Sequence, residues 1–417
     1  MLNPMKVIKD LDFVRLSGTE GEKKAVGIIS EYLKQIGYKP KIEKFGLTGF
    51  EQGIANIEVN SKSYSATPFG LNKSAEIEGE LVWLDNIKIL EQNRGAYKGK
   101  ILITYNFSRG MALKLKEAGV KGFIYAGRPL RKATSLSHRQ STYKSGYIDS
   151  VTVDHTTGIK LKKLSGKLIK LKIDQEVNEK KGYNIIVDIP GKGKDDTLTI
   201  AGGHLDSVAH SPGASDNGGG IVTLIKIAEY FKNCKLSRDL RLVFFGGEEL
   251  GLLGSQNYVK KHLEELKKRL GLMLNIDVSG DALGIDHMAV IGNKELMGYI
   301  DGIIREKGYM FERRLDIYSS DCMPFSAYEF PSVSLARSGG KASMNIHTDG
   351  DNYRNVNPEG YTSCIKASIQ ILERIINAEI YPVDRKIDSS LREKIEKYLW
   401  NLNYEEPKLE WTEKYKE

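Results

Sequence analysis

Three cysteines in 417 residues, Cys234, Cys322 and Cys364, are too few and too far apart for a disulfide framework or a CxxC zinc knuckle. A metal bound by this chain would therefore take histidine, aspartate and glutamate as its ligands. No apolar run approaches the roughly 18 residues that a membrane span needs, and the segment Met1 to Lys9 has no apolar core of signal-peptide length. A cytoplasmic chain with no membrane contact is the expectation. Blocks of a single charge are also missing. The 62 Lys and Arg outnumber the 54 Asp and Glu, but acids are interspersed among them, as in Glu20 to Lys24 and Lys260 to Arg269. That is the texture of a solvated surface, so no nucleic-acid partner is expected.

Length and pattern point to more than one domain. A single core stops growing at roughly 250 to 300 residues, and the 40% hydrophobic content is ample for a large one. From Asn184 onward strand-like and helical runs alternate. The strand candidates are Asn184 to Ile189, Thr197 to Ala201, Leu240 to Phe245, Leu270 to Ile276, His287 to Ile291 and Ser332 to Ala336. Helical runs fall between them, notably Gly219 to Phe231, Leu252 to Leu266 and later Glu359 to Ala378. The pattern predicts an α/β fold with a mixed, mostly parallel sheet sandwiched by helices.

Near the N-terminus, Thr19 followed by Glu22 fits a capping box, and Ala25, Ile29, Tyr32, Leu33 and Ile36 then recur at helical spacing. Between about Asn60 and Lys181 the texture changes to short β-like runs without any cluster of ligand-type residues, His138 and His155 standing alone. Residues 1–60 and 183–380 are thus expected to form one discontinuous domain and residues 61–182 an inserted, β-rich one. In the tail, residues 381–417, Leu391, Ile395, Leu399 and Leu402 repeat at helical spacing ahead of the polar Asn403 to Glu417. The tail helix packs on the body or on a second subunit, which leaves a homo-oligomer open.

The chemistry sits where hydrophobic runs give way to glycine or polar turns. His204 ends such a run, Asp216 precedes Asn217 and three glycines, Glu248 and Glu249 follow Gly246 and Gly247, Asp277 follows Ile276, and His347 lies in a polar loop. In open α/β sheets the carboxyl ends of strands are where ligands bind. Each residue alone has a dull reading, Asp216 as a helix cap or Glu248-Glu249 as a solvated turn. Together they supply the five nitrogen and oxygen donors that a two-metal site with one shared carboxylate needs. Of the two adjacent acids, one can hold a metal while its neighbour takes a proton from water. His210, His262 and His287 are read as ordinary packing or surface residues.

The segments His204-Leu205-Asp206-Ser207, Ser215-Asp216-Asn217, Gly247-Glu248-Glu249, Asn275-Ile276-Asp277 and Ile346-His347-Thr348 resemble the five motifs of the co-catalytic di-zinc aminopeptidase family. Bacterial leucyl aminopeptidases, glutamate carboxypeptidase and glutaminyl cyclase are relatives within it. The resemblance extends to Arg15-Leu16-Ser17-Gly18-Thr19 and Ser320-Asp321-Cys322-Met323-Pro324-Phe325, and the region between resembles a protease-associated domain. It implies a zinc-exopeptidase fold that cleaves the N-terminal peptide bond of peptides through a metal-bound water activated by a glutamate. Two Zn2+ per chain are implied, with Co2+ or Mn2+ as possible substitutes. Asp216 would bridge them, His204 and Asp277 would complete one site, and Glu249 and His347 the other. Asp206 would sit behind His204, and Glu248 would be the general base. Two departures stand out. Ile346 occupies the position where several members carry an oxyanion-stabilising Tyr, and Cys322 a position often held by His.

Within the same fold, a carboxypeptidase or cyclase is an alternative, although a carboxypeptidase would need a basic cluster and Arg337 alone offers it. A non-catalytic receptor or binding homologue is a third reading, disfavoured by the presence of all five ligands and both glutamates. The acids Glu248 and Asp277, with Asp281 four residues on, present the negative charge that an N-terminal ammonium would meet.

Overall fold

A computed structural model describes residues 2–86, 88–106, 111–129 and 131–402. The polar stretch Asn403 to Glu417 lies outside the described residues. An eight-stranded sheet organises the chain, in the spatial order Lys41–Phe50, Val177–Ile189, Asp239–Phe245, Leu198–His204, Leu270–Ile276, Ser332–Ser338, Ile285–Ile291 and Glu312–Leu315. Its centre is parallel: Leu198–His204 pairs in parallel with Asp239–Phe245 and Leu270–Ile276, and the latter with Ser332–Ser338. These strands are apolar runs because both faces are covered, and every residue of Leu198–His204 and Leu270–Ile276 is buried. Three pairings are antiparallel, so the sheet is more evenly mixed than the alternation of strands and helices predicts. The edge strand Lys41–Phe50 reads poorly from sequence because its first half is mostly exposed.

Helices cover both faces. Glu20–Ile36, Gly218–Phe231, Lys294–Arg305 and Glu359–Asn377 bury Ile29, Leu33, Ile225, Phe231, Ile300 and Ile371 in the larger core on one side. Leu253–Arg269 packs Tyr258, Val259 and Leu266 against Phe245 and Met273 on the other. The helix Gly218–Phe231 comes unusually close to the sheet. A Cβ at Gly220 would lie 2.6 Å from the Ile276 carbonyl oxygen, and one at Gly219 2.2 Å from the Ser279 hydroxyl. Only glycine permits that approach, and it brings the loop before the helix beside the end of Leu270–Ile276.

The chain leaves this sheet at Phe50 and returns at Val177, two residues that pair directly. Between them lies a closed seven-stranded barrel, from Ile54–Val59 to Leu168–Asp174, with Ile57, Leu81, Ile103, Ile124, Val151 and Leu171 in its core. Four of its strands, Ala75–Trp83, Ile101–Thr104, Gly122–Ala126 and Asp149–Val153, run parallel. Parallel neighbours need crossovers, which accounts for the short helices Met111–Glu117 and Gln140–Ser145 in a region that reads as β. The tail helix Arg392–Asn401 packs on the body, with Leu391, Ile395 and Leu399 buried against Leu252, Cys322 and Met323.

The capping box at Thr19 does not form. Thr19 is the N-cap residue, but its side chain makes no cap hydrogen bond. Glu22 is instead fully buried and accepts from the Ser17 hydroxyl, the Gly18 amide and the Tyr183 amide.

Candidate metal centre

Five loops at the carboxyl ends of the central strands and beyond bring the ligand-type residues together. Nε2 of His204 lies 3.1 Å from Asp216 Oδ1 and 3.3 Å from Asp277 Oδ1. Nε2 of His347 lies 3.2 Å from Asp216 Oδ2 and 3.2 Å from Glu249 Oε2. The five thus form two groups, His204–Asp216–Asp277 and Asp216–Glu249–His347, and in each the donor atoms all lie within 4.8 Å of one another. Asp216 belongs to both and offers one oxygen to each. The helix-cap reading of Asp216 is removed by its neighbour: the Asn217 side chain accepts from the Gly220 amide at 2.7 Å and is the cap. The Asp216–Asn217 peptide is cis.

The donor set fits divalent cations. Glu249 Oε1 is a buried carboxylate oxygen without a hydrogen-bond partner, and buried polar atoms are otherwise almost always paired. Burial disfavours charge on His204 and His347, yet the carboxylates around them outweigh it and hold both imidazoles well above their ordinary pKa. Burial also opposes ionisation of Asp216, but the two imidazoles hold its carboxyl far below the usual range. A site that attracts protons this strongly attracts other cations for the same reason.

Glu248 is not in either group. Burial, reinforced by the charges of Glu249, Asp277 and Asp321, pushes its carboxyl well above the usual range. Burial raises Asp321 itself to about 7. A carboxyl beside a ligand cluster and outside it is placed to take up and return a proton. The two adjacent glutamates diverge because the turn holding them is anchored through its backbone. Asp206 accepts from the Glu248 amide at 3.2 Å and from the Glu249 amide at 3.3 Å, while one of its oxygens lies 3.5 Å from His204 Nδ1. Asp206 therefore orients both a ligand and the turn.

Other supports were not legible in the sequence. Asp351 accepts from the Ser215 amide at 2.7 Å and the Asp216 amide at 3.0 Å, fixing the shared carboxylate from behind. Nothing sets it apart from Asp349 in the same polar loop. Ser17 accepts from the Gly247 amide and donates to Glu22, so the helix Glu20–Ile36 and the loop before it hold the glutamate turn. The barrel reaches the site as well: the Ser135 amide donates to the His347 carbonyl at 2.7 Å, and His347 has a φ of 64°, in the left-handed region. Such conformations persist in non-glycine residues when surroundings impose them.

Several expectations are corrected. Asp281 does not face an incoming ammonium; it is buried and accepts from the Gly340, Ala342 and Ser343 amides. Arg337 is tied to Asp286 and to the carbonyls of Asp281 and Ala282, so its guanidinium is engaged within the protein. Cys322 is buried, its thiol directed to the Tyr318 carbonyl. Tyr318 lies beside the ligand cluster: its hydroxyl donates to the Asp277 carbonyl at 3.0 Å, and Asp277 and Asp216 add to burial in raising its pKa. His262 pairs with Glu43, and His287 lies 3.4 Å from Glu312, in keeping with surface roles. Neither His138 nor His155 belongs to a ligand group.

Residues 184–372, which carry every member of both ligand groups, match the model of peptidase family M28. This stretch belongs to that family. Along its length the chain is 26% identical over 402 residues to a probable leucine aminopeptidase 2 of Aspergillus oryzae, covering 85% of this chain and 78% of the relative. It is 26% identical over 350 residues to the aminopeptidase YwaD of Bacillus subtilis, covering 81% and 70%. Among solved structures, an M28 peptidase precursor from Shewanella amazonensis superposes with a TM-score of 0.78 at 21% identity, over 93% of this chain and 94% of that one. A zinc aminopeptidase from Bacillus subtilis superposes with a TM-score of 0.74 at 20% identity, over 93% and 98%. The architecture of the M28 region and of the barrel is therefore shared through nearly the whole chain.

Proposed function

We propose that this chain is a metal-dependent aminopeptidase that holds two zinc ions and releases the N-terminal residue of peptides. The observation that carries the reading is the sharing of Asp216 between two three-residue groups, with a buried glutamate beside them that belongs to neither. Zinc follows from the all-nitrogen-and-oxygen donor set and from the zinc aminopeptidase among the similar structures. His204 and Asp277 would hold one ion and Glu249 and His347 the other, with Asp216 available to both.

When bound, the ions supply Lewis acidity toward the scissile carbonyl and bring the pKa of a coordinated water toward neutrality. A Glu248 carboxylate oxygen accepts the proton of the attacking water and returns it to the leaving amine nitrogen. Asp206 keeps the Glu248 and Glu249 amides in place during that transfer, so the turn does not swing as charge moves. The Tyr318 hydroxyl is the donor suited to the carbonyl oxygen as it gains negative charge, in place of the residue absent at Ile346. The N-terminal ammonium is held by the negative charge of the acids themselves. The engagement of Arg337 counts against a carboxypeptidase. The inserted barrel is assigned as a protease-associated domain.

Hydrolysis of leucine anilide with a free and an acetylated amino group, together with zinc analysis of the purified protein, tests the reading. Cleavage of the free substrate only, with two zinc ions per chain, is expected. Equal cleavage of both would overturn the aminopeptidase assignment in favour of an endopeptidase or carboxypeptidase.

A further inference from the structure

Charge is divided unevenly between the two parts of this chain. Residues 54–174, which form the barrel, hold 21 Lys and Arg against 10 Asp and Glu, a surplus of 11, whereas the whole chain carries only +8. The remainder is therefore slightly acidic, and the overall composition conceals a strongly basic domain. Segregation of charge on this scale points to a surface that meets an anionic partner.

The unmatched part of the surplus lies at one end of the barrel. The helix His155–Lys162 starts at the junction with the M28 region, where Asp154, His155 and Thr156 line one cleft with His210 and Asp349. Its eight residues carry the chain about 12 Å away from that cleft. The strand Leu168–Asp174 then runs back, Asp174 pairing with Ile54 close to where the barrel joins the large sheet. The turn between helix and strand thus sits at the end away from the M28 region, and Lys62 lines one groove there with Leu168 and Lys170. Lys62, Lys160, Lys163 and Lys167 are exposed, and among the described residues none has an acidic partner within ion-pair distance. The acids around them are already engaged, Glu58 with Lys172, Glu76 with Lys170, Glu80 with Lys100 and Asp85 with Lys162. Among these described acids Glu78 is the exception, an exposed carboxylate with no ion pair.

Two apolar side chains stand between the lysines. Leu168 is 61% exposed and Ile159 47% exposed, and Ile159 shares a face with Lys163 four residues on. A nucleic-acid surface would call for arginine forks and open aromatic rings. Here every cation from Lys160 to Lys172 is a lysine, and the ring of Trp83 is occupied by Lys162 at 4.5 Å and Tyr105 at 6.2 Å. Flexible lysine stems with apolar tips between them match the interface of an anionic bilayer, where charge meets lipid phosphate and the apolar groups enter the headgroup layer.

We infer that this end of the barrel docks the protein on anionic phospholipid surfaces through Lys62, Lys160, Lys163 and Lys167, with Leu168 and Ile159 entering the interface. The expectation of no membrane contact rested on the lack of a spanning segment and on charge averaged over the chain, and the fold separates what the average cancels. The contact is peripheral, since no described helix is long and apolar enough to cross a membrane. It is independent of the aminopeptidase reading.

Flotation of the full chain with vesicles tests the inference, using phosphatidylcholine alone and phosphatidylcholine with phosphatidylglycerol at roughly 3:1. Binding to the anionic vesicles only is expected at about 0.05 M salt, with loss of binding toward about 0.5 M as screening shortens the reach of each charge. A lysine near such a surface contributes roughly fivefold, so changing Lys160→Gln, Lys163→Gln and Lys167→Gln together should weaken binding on the order of 100-fold. Lys235→Gln, Lys268→Gln and Lys307→Gln remove the same charge from exposed positions of the M28 region and should leave binding unchanged. Leu168→Gln should weaken it several-fold without altering the salt dependence. Failure to bind anionic vesicles, equal binding to neutral ones, or equal weakening by the two triple variants would overturn the docking surface. Binding of a short single-stranded RNA while the vesicles remain unbound would overturn it in favour of nucleic acid.

Discussion

Glu248 and Glu249 are adjacent in sequence and nearly identical in chemistry, so separating their work is the sharpest test of the site. Glu248→Gln keeps the side chain's size and leaves the backbone amide on Asp206 undisturbed. It removes a proton acceptor that belongs to neither ligand group. Metal content should therefore stay at the wild-type value while kcat falls by a factor of roughly 10² to 10⁴, the usual contribution of general acid–base catalysis, or about 3 to 5 kcal/mol of barrier. Glu249→Gln removes a charged donor whose Oε2 lies 3.2 Å from His347 Nε2 and whose Oε1 has no other partner. Loss of residues that merely orient ligands weakens metal affinity by roughly 10- to 100-fold, so loss of this donor should exceed the upper end of that range for one ion and spare the other. Its activity should recover in part as zinc is added, whereas that of Glu248→Gln should not. Steady-state kinetics across a zinc titration, with metal content by plasma emission, read both effects. If Glu248→Gln loses metal and Glu249→Gln keeps it, the roles must be exchanged. A fall of less than tenfold in both variants would remove the hydrolytic scheme altogether.

Asp216→Asn should lower occupancy at both ions, since each oxygen serves one group; equilibrium dialysis that still finds two ions per chain would dismiss the bridge. Tyr318→Phe is expected to reduce kcat by roughly 10²- to 10³-fold, the range for loss of one oxyanion donor, with zinc content unchanged, and an unaltered kcat would return the oxyanion role to an unassigned group. For pH, the folded-state value of His138 is depressed to about 4 from 6.5. The unfolded chain thus binds the extra proton first, and the stability this residue provides above pH 6.5 is lost as pH falls toward 4, by about 3 kcal/mol at most. Urea unfolding of metal-free protein at both ends of that window should show a steeper pH dependence in wild type than in His138→Phe, and equal slopes would exclude His138 as the source.

The parts of this protein that the sequence by itself determined are those in which local pattern and chemistry coincide. Fully buried runs such as Leu270–Ile276 are legible because a parallel strand covered on both faces must be apolar throughout. Three of the ligand-type positions, His204, Glu249 and Asp277, stand out because they lie at or just after the end of such a run, where the chain leaves the sheet. Residue pattern alone does not divide the five into two groups; the family resemblance implies a division and the tertiary structure shows the same one, through distances that unite His204 with Asp277 and Glu249 with His347 across residues far apart in sequence. Only the tertiary structure decided the fate of Glu22, Asp351 and Asp281. A buried carboxylate that holds backbone amides looks, in sequence, like any acid in a polar segment, and only the amides that approach it distinguish the two. The barrel's part in the site was illegible for a related reason: it provides no member of either ligand group, only a backbone amide at Ser135 and part of the wall of the cavity beside Glu248, Glu249 and His347. Main-chain donors and shape are properties of a folded chain and have no residue type to announce them.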